Sequence, residues 1–309
     1  MKKRVIITGA TGFVGKNLLR FLDTAHYDIT LMSRDLTKLN ENLFGFSVVY
    51  GDLNDKNSLK KAFEQQDILI NLAAEVRNQE KLDQTNVQGT NNLIEAVKYS
   101  GISKIIHLSS VGVVGKSYSP VSYLVDELER PTPQNLYEQT KLKSEEALFN
   151  QNNGAYQLVV LRPTNVFGEM HPFNALNNLM TKIQHQKTLL GTKEAKVNYL
   201  YVGDLCQVIT FFLTNDSSNG VFHVGDSMNL IEFYRLIAKK LGVKLHCYYL
   251  PNFLRDFLDI IKITKLRVVT NQIIYTDLKL KNEIGNYEFG VDKGLDLTID
   301  YFRKNNLLK

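Results

Sequence analysis

The sequence has little of what several protein classes depend on. Its 309 residues include two cysteines, six prolines and no tryptophan. Cys206 and Cys247 lie far apart, and no group of His, Cys, Asp or Glu has the spacing of a metal site, so neither a disulfide framework nor a metal centre is predicted. No histidine accompanies a serine in a hydrolase nucleophile motif. We therefore expect reduced thiols and a cytoplasmic location.

Long apolar runs and charge blocks are missing as well. No segment reaches the roughly 18 uncharged apolar residues that a membrane-spanning helix needs. Residues 250–269 come nearest, but charged side chains interrupt them, and we expect a core-facing helix there rather than one lying on a membrane surface. The net charge of +5 is spread along the chain, which suits an anionic ligand and does not indicate nucleic acid.

The first two-thirds of the chain alternates β-branched runs with amphipathic segments. Continuous apolar strands between helices indicate a parallel sheet covered on both faces, as in an α/β, Rossmann-type doubly wound fold. We predict its strands at residues 4–9, 28–33, 47–52, 67–73, 104–110 and 157–163.

The rhythm changes near residue 165. The predicted organisation is a Rossmann domain over 1–165, completed by strands within 196–226, and a smaller C-terminal substrate-binding lobe over 166–309. In this second part we predict two strands and one helix, at 198–204, 220–227 and 231–242.

A glycine-rich turn joins the first predicted strand to the first helix. In residues 8–19, TGATGFVGKNLL, Gly9, Gly12 and Gly15 recur every three residues. In a strand–turn–helix setting the first glycine makes the tight turn, the second lets the backbone approach a pyrophosphate, and the third lets helix and strand pack closely. The amides at the helix start would then face the anion. This position directly after the first strand favours a dinucleotide over a turn without a ligand.

The end of the second strand indicates which dinucleotide is bound. An acidic side chain there would accept hydrogen bonds from the ribose diol, whereas a cation would pair with a 2′-phosphate. Arg34 favours NADP and the next residue, Asp35, favours NAD; we predict NADP slightly ahead of NAD. After the third strand, Asp52 and Leu53 could contact the adenine, although Asp52 could instead cap the following helix.

Residues 136–146, LYEQTKLKSEE, place Tyr137 and Lys141 four apart on a predicted helix. Residues at this spacing share one helix face, but a Tyr-x-x-x-Lys pattern is expected about once by chance in a chain of this composition. A second one, Tyr275 to Lys279, has neither a Ser-Ser strand end nor a glycine turn upstream. We interpret that second pair as structural and the first as chemical.

The first pair has a plausible chemical use. A free phenol has a pKa near 10, too high for a base at neutral pH. The Lys141 ammonium and a positive nicotinamide ring would lower the pKa of Tyr137, which could then take a hydroxyl proton during hydride transfer. Ser110, at the end of the fifth strand, would orient the substrate oxygen.

These features occur in an order that resembles one family over nearly the whole chain. The motifs are TGATGFVG, GDLND, NLAAEV, NVQGTNNLIEA, HLSSVGVVG, LRPTNVFG, YVGDL and GLDLTIDYFRK, together with Tyr137 and Lys141. The chain is similar to the extended short-chain dehydrogenase/reductase family, in its nucleotide-sugar epimerase/dehydratase group. The resemblance implies an N-terminal Rossmann domain that binds NAD or NADP, a smaller lobe that closes over the substrate, and a homodimer.

Roles for single residues follow from the motifs and the resemblance together. The residues expected to contact the cofactor are Gly9, Thr11, Gly12, Phe13, Val14, Gly15, Arg34, Asp52, Leu53, Ala73, Ala74, Tyr137 and Lys141. The catalytic residues would be Ser110, Tyr137 and Lys141, with Ser109 as the neighbouring alternative to Ser110, and the substrate-binding residues would be Glu75, Ser110, Asn165 and Lys196. Asn165 resembles an asparagine that contacts a nucleotide-sugar diphosphate. No metal ligand is implied.

Two positions depart from the family pattern. Val197, beside Lys196, stands where an arginine is common, and Gly203 stands where an aspartate commonly precedes the residue equivalent to Asp204. A lysine could replace part of an arginine phosphate clamp, without its bidentate geometry.

The predicted function is hydride transfer on a nucleotide-diphosphate sugar, by a 4-epimerase or a 4-keto reductase. A dehydratase is less expected, because Val111 and Gly112 follow Ser110 where such enzymes carry an Asp-Glu pair. The alternatives are an NADPH-dependent reductase of a non-sugar carbonyl, such as a steroid- or flavonoid-like ketone, and a non-catalytic dinucleotide sensor.

Overall fold

The computed structural model describes residues 2–39, 46–115, 118–119, 121–171, 175–186, 188–250 and 267–308. The chain forms two compact units, each built from separate segments. The segments of the first unit are 1–115, 130–162 and 206–222, and those of the second are 116–129, 163–205 and 223–309. Of the segment 250–269, which we expected to form a helix, residues 251–266 lie outside the described part.

The strands of the described residues follow the predicted alternation. They are β1 (Lys3–Thr8), β2 (Tyr27–Ser33), β3 (Ser47–Tyr50), β4 (Ile68–Asn71), β5 (Lys104–Leu108), β6 (Tyr123–Val125), β7 (Gln157–Pro163), β8 (Asn165–Phe167), β9 (Thr188–Gly191), β10 (Lys196–Tyr201), β11 (Gly220–Val224), β12 (Asp226–Asn229), β13 (His246–Tyr249) and β14 (Ile273–Tyr275).

The helices lie between these strands. They are α1 (Phe13–Leu18), α2 (Lys56–Phe63), α3 (Gln79–Leu82), α4 (Gly89–Val97), α5 (Leu136–Asn150), α6 (Ala175–Gln186), α7 (Val202–Thr214), α8 (Leu230–Leu241), α9 (Arg267–Thr270), α10 (Leu278–Ile284) and α11 (Gly290–Lys304). A π-helical turn, Asp83–Gln88, joins α3 to α4, and short 3₁₀ helices occur at Leu36–Leu39 and Val111–Val114.

A seven-stranded sheet in the order β11-β7-β5-β4-β1-β2-β3 is the framework of the first unit. The pairs from β7 to β3 are all parallel. The apolar runs explain this, because Val5, Ile6 and Ile7 of β1 are wholly buried, and strands covered on both faces need continuous apolar sequence. The predicted α/β fold with a large parallel sheet is confirmed.

Helix α5 begins after a capping residue, Asn135. Asn135 Oδ1 accepts a hydrogen bond from Glu138 N, in the first turn, at 3.0 Å, and Glu138 Oε2 accepts one from Gln134 N, just before the cap, at 2.6 Å. One face of the helix is buried, and four of its five buried residues are polar: Thr140, Lys141, Ser144 and Glu145, with Leu148 as the fifth.

The second unit contains three small sheets, β12-β10-β8, β13-β9 and β14-β6. The predicted strand 198–204 ends early, because α7 already begins at Val202. The predicted strand 220–227 is two strands separated by Gly225, where a Cβ would overlap the side chain of Thr164. Within the described ranges, no helix combines the length and the apolarity needed to cross a membrane.

Candidate active site

The glycine turn leaves a backbone-lined space at the end of β1. Gly9 has a φ of +71°, and a Cβ there would lie 2.7 Å from Ala73 N. A Cβ on Gly15 would overlap the carbonyl oxygen of Gly9 and lie 2.6 Å from Ala10 Cα. Side chains at these positions would therefore fill the space or push the turn away from β4 and α1. The turn fits the close approach of a dinucleotide backbone.

A cleft opens next to this turn, at the carboxyl ends of the parallel strands. Eight of the predicted cofactor residues line it: Gly9, Thr11, Gly12, Arg34, Asp52, Leu53, Ala73 and Ala74. Glu75, predicted as a substrate residue, lines it as well. Phe13, Val14 and Gly15 lie in α1 instead.

The cleft has further lining residues that the sequence reasoning did not name. They are Met32, Ser33, Gly51, Leu72 and Thr85; Asp35, which the sequence analysis weighed against Arg34, lines the cleft as well. Most of them directly adjoin a strand end, so the rule that ligands bind at carboxyl ends of parallel strands could have found them. Thr85 comes from the π-helical turn after α3, and no sequence pattern indicated it.

The residues that follow β2, Arg34 and Asp35, carry opposite charges into the cleft and differ in their hydrogen bonding. Asp35 Oδ1 accepts hydrogen bonds from Thr37 N at 3.1 Å and from Thr37 Oγ1 at 2.5 Å. Ser33 Oγ donates to the backbone oxygen of Asp35 at 2.8 Å. Arg34 is exposed, and among the described residues no acidic side chain forms an ion pair with it. The carboxylate is thus engaged locally, whereas the guanidinium faces solvent.

Asp52 lies in the cleft and does not cap α2. Its Oδ1 accepts a hydrogen bond from Asn54 N at 3.0 Å, and the capping residue is Asp55, whose side chain accepts from Asn57 N and Ser58 N. Of the two functions considered for Asp52, the helix cap is therefore wrong, and contact with adenine stays a prediction.

The predicted catalytic residues come together at the carboxyl end of β5. Lys141 Nζ donates to Leu108 O at 2.8 Å. Ser110, two residues further on, accepts a hydrogen bond on its Oγ from Gly112 N at 3.1 Å. A Cβ on Gly112 would lie 3.0 Å from Cγ of Glu138, so the Ser110 turn packs against the first turn of α5, which carries Tyr137.

Burial moves the pKa values of this pair in opposite directions. The loss of solvent around Tyr137, and secondarily the charge of Glu138, raises the pKa of the phenol to about 12. The same loss of solvent lowers the pKa of Lys141 to about 8, although the charge of Glu145 opposes it. Without a bound dinucleotide, the pKa of Tyr137 is therefore raised and not lowered as expected, because desolvation penalises the phenolate.

His107 is a buried neighbour of Lys141 that the sequence reasoning left out. Its Nε2 lies 3.5 Å from Lys141 Nζ and its Nδ1 lies 3.0 Å from Asn71 Nδ2. Burial first, and then the charge of Lys141, hold the pKa of His107 well below its usual range. A histidine inside an apolar strand resembles a core residue, so the sequence carried no signal for it.

Glu75 and Asn86 organise the loop after β4. Glu75 Oε1 accepts hydrogen bonds from the amides of Val76, Arg77 and Asn78, at 3.0, 2.9 and 3.0 Å, and these bonds lower the pKa of its carboxyl group. Asn86 accepts from Glu75 N at 2.8 Å and donates to Thr140 Oγ1 at 3.0 Å. Asn86 thus ties this loop to α5, and substrate contact by Glu75 stays a prediction.

Asn165 and Lys196 lie in the second unit, at the starts of β8 and β10. The side chain of Asn165 is exposed and its Nδ2 donates to Asn198 O at 2.9 Å. Lys196 pairs with Asn229 across the antiparallel β10–β12 ladder, and Val197 pairs with Met228. Their contact with substrate stays a prediction.

The second Tyr-x-x-x-Lys pair does not lie on one helix. Tyr275 is the last residue of β14, and Lys279 lies in α10. The ring of Tyr275 packs edge to face against His223, with 6.0 Å between centroids. The two side chains therefore do not share a helix face, in agreement with a structural interpretation.

Known proteins match this chain in sequence. The profile of the NAD dependent epimerase/dehydratase family matches residues 5–225. A curated relative from Escherichia coli O157:H7, N-acetyl-alpha-D-glucosaminyl-diphospho-ditrans,octacis-undecaprenol 4-epimerase, is 29% identical over 262 residues, which cover 81% of this chain and 76% of the relative.

Two solved structures share the fold. UDP-glucose 4-epimerase of Thermotoga maritima, solved with UDP-glucose, has a TM-score of 0.76 at 22% identity and covers 98% of this chain and 99% of its own. UDP-glucuronic acid 4-epimerase of Bacillus cereus, in complex with NAD, has a TM-score of 0.75 at 20% identity and covers 97% of each chain.

The family match spans more than two-thirds of the chain, from β1 to the end of β11. It includes the glycine turn, the β5 end and the Tyr137–Lys141 pair, and it confirms the resemblance inferred from the motifs. The chain belongs to the NAD dependent epimerase/dehydratase family.

Proposed function

We propose that this chain is a 4-epimerase of nucleotide-diphosphate sugars that works through Tyr137, Lys141 and Ser110. The observation that carries the proposal is the placement of Lys141, whose buried Nζ lies 2.8 Å from Leu108 O beside the Ser110 turn. Tyr137, one turn earlier on the same helix, shares that face. The names of the E. coli relative and of the two solved structures described above, which are 4-epimerases of diphosphate-linked sugars, support the choice of reaction.

The residues have distinct tasks in this reaction. A bound nicotinamide dinucleotide supplies the acceptor and the donor of hydride. The Oγ of Ser110 already accepts a hydrogen bond from Gly112 N, so its own hydrogen can be donated to the sugar oxygen. Tyr137 takes the proton of the 4-hydroxyl as the C4 hydride leaves. It returns the proton after the keto sugar has rotated in the site and presents its other face to the hydride donor.

Positive charge has to offset the raised pKa of Tyr137. Burial raises this pKa to about 12, so the phenolate needs a cation close by. Lys141 can supply one, because its Nζ is fixed at the end of β5, and a positive nicotinamide ring adds a second. We therefore expect the base to become effective when the oxidised dinucleotide is bound.

The finer choice of dinucleotide rests on Arg34. We propose that NADP binds at least as tightly as NAD, because Asp35 is engaged with Thr37 and the exposed guanidinium lines the cleft. Arg34→Ala should weaken NADP binding by roughly 10- to 100-fold and leave NAD binding unchanged, since a charge-assisted hydrogen bond would be lost. The matched variant Asp35→Ala should have no such effect on NADP; equal losses for both dinucleotides in Arg34→Ala would refute this assignment.

The diphosphate carrier has a second candidate, a polyprenyl lipid. The E. coli relative is named for an undecaprenyl diphosphate sugar. A lipid carrier needs the sugar and the diphosphate to be recognised but offers no nucleotide to bind. The name of this relative is the reason to test a nucleotide carrier and a lipid carrier side by side.

The test is an epimerase assay of the purified chain with its dinucleotide. UDP-glucose, UDP-glucuronic acid and N-acetylglucosaminyl-diphospho-undecaprenol are each incubated and the sugar products are separated by configuration at C4. We expect one of them to interconvert without net change in the dinucleotide. A 4-keto reductase would instead consume NADPH when given a 4-keto sugar. No reaction on any of the three substrates would refute both the nucleotide-linked and the lipid-linked epimerase proposals.

A further inference from the structure

A row of buried polar side chains runs from the glycine turn to Lys141. Ala73 N donates to Thr8 Oγ1 at 3.2 Å, and Thr8 Oγ1 lies 2.6 Å from Asn71 Oδ1. Asn71 Nδ2 lies 3.0 Å from His107 Nδ1, and His107 Nε2 lies 3.5 Å from Lys141 Nζ, at the outer limit of a hydrogen bond. These side chains of Thr8, Asn71, His107 and Lys141 are all at most 2% exposed.

Strand register explains why the row exists. Thr8 of β1 pairs with Asn71 of β4, and Asn71 pairs with His107 of β5. Paired residues of neighbouring strands point to the same face of a sheet, so the three side chains stand side by side. Within the sheet the polar side chains stop at Thr8 and His107, since the next strand positions are apolar: Thr8 pairs with Met32 and His107 pairs with Val160.

Hydrogen-bond chemistry allows this row two complete arrangements. A neutral imidazole has one donor and one acceptor, whereas an ammonium group only donates. When Lys141 is protonated, His107 Nε2 must accept, so Nδ1 carries the hydrogen and faces the oxygen of Asn71. When Lys141 is neutral, Nε2 can donate to its amine, and Nδ1 accepts from the amide nitrogen of Asn71. The side-chain amide of Asn71 flips between the two arrangements, so that its oxygen and its nitrogen exchange places.

We propose that His107 is a positioning residue that couples the protonation of Lys141 to the direction of hydrogen bonding along the row from Thr8 through Asn71. The proposal rests on the proposed function only in that Lys141 serves hydride transfer there. In both arrangements each of the three contacts within the row, Thr8 to Asn71, Asn71 to His107 and His107 to Lys141, joins a donor to an acceptor, so no contact brings two donors or two acceptors together. The row therefore lets a buried lysine gain or lose a proton without breaking contacts.

Other charged groups around Lys141 are fixed in place. On α5 they are Tyr137, Glu138 and Glu145, and His107 faces Lys141 from β5. Glu145 raises the pKa of Lys141 and is itself held by Arg162 of β7, with 2.6 Å between Arg162 Nη2 and Glu145 Oε2. Since the pKa of Lys141 is about 8, both arrangements of the row are populated near neutral pH.

The test measures the protonation of Lys141 directly, without any substrate. Protein labelled with ¹³C at the lysine Cε is titrated by NMR, and Lys141→Met identifies the resonance. We expect a midpoint near pH 8 in the parent chain. His107→Leu removes the acceptor that a charged Lys141 needs and should lower the midpoint by about one pH unit or more. His107→Gln keeps a donor and an acceptor and should restore most of the difference.

Controls separate this role from a general loss of packing. Ile106→Val, next to His107 and wholly buried, should leave the midpoint unchanged. If His107→Leu does not fold, Asn71→Ala replaces it; that variant leaves Nδ1–H without an acceptor when Lys141 is charged, so its midpoint should fall too. An unchanged midpoint in the tested variant, or an equal fall in His107→Gln, would overturn the proposal. Because no activity is measured, failure of the proposed function would appear separately, in the epimerase assay.

Discussion

Removing one partner of the buried ion pair between Glu145 and Arg162 should strongly destabilise the protein. Arg162 Nε lies 3.0 and 3.2 Å from the two carboxylate oxygens of Glu145, and Nη2 lies 2.6 Å from Oε2. The two side chains are only 5% and 3% exposed. Removing one charge of such a pair leaves the other buried without compensation, which costs about 3–5 kcal/mol. We therefore expect Glu145→Gln to lower the free energy of unfolding by that amount.

Urea unfolding followed by circular dichroism measures this loss. The double variant Glu145→Leu with Arg162→Met should recover most of it, because a well-packed apolar pair often replaces a buried ion pair at no cost. Glu95→Gln is the matched control, since Glu95 pairs with Lys98 at the surface, where the side chains are 34% and 47% exposed, and should give no measurable change. If Glu145→Gln unfolds at the same urea concentration as Glu95→Gln, the reasoning about the buried pair is refuted.

Three further predictions concern the site. Tyr137→Phe should lower kcat by roughly 10²- to 10⁴-fold with unchanged dinucleotide affinity; an active variant would exclude Tyr137 as the base. Gly15→Ala should abolish dinucleotide binding in a calorimetric titration because its Cβ overlaps the turn. Gly154→Ala should cost some stability because φ is +78° there, but its Cβ meets nothing within 4 Å, so this variant should bind the dinucleotide normally. The free energy of unfolding should rise between pH 8 and 10, because native Lys141 loses its proton near 8 and the unfolded chain keeps it to about 10.5. A Lys141→Met protein should lack this rise, and an equal rise in both would contradict the lowered pKa of Lys141.

The parallel sheet and the dinucleotide turn could be predicted from the sequence because each depends on local pattern. The β-branched run of β1 and the glycines that follow it are contiguous, and their geometry is set by residues a few positions apart. The ends of β10 and β11 were placed less well, because Val202 and Gly225 take their conformations from packing that the local sequence does not display.

The row from Thr8 to Lys141 could not be predicted, because it depends on register between strands far apart in the chain. Thr8, Asn71 and His107 are each separated by tens of residues, and a shift of one position in either pairing would send a side chain to the opposite face. The raised pKa of Tyr137 has a similar origin. Spacing along α5 suggested a nearby cation, but the depth of burial, which decides the sign of the shift, comes from the surrounding elements.

The interleaved segments of the two units have a consequence for how the protein is made. A ribosome releases residues 1–115 first, but the first unit also needs 130–162 and 206–222. Strand β11, at one edge of the seven-stranded sheet, is among the last of its parts to emerge. The nascent chain must therefore expose the unpaired backbone edge of β7 until translation has passed residue 224, and during this interval the edge is open to pairing with other chains.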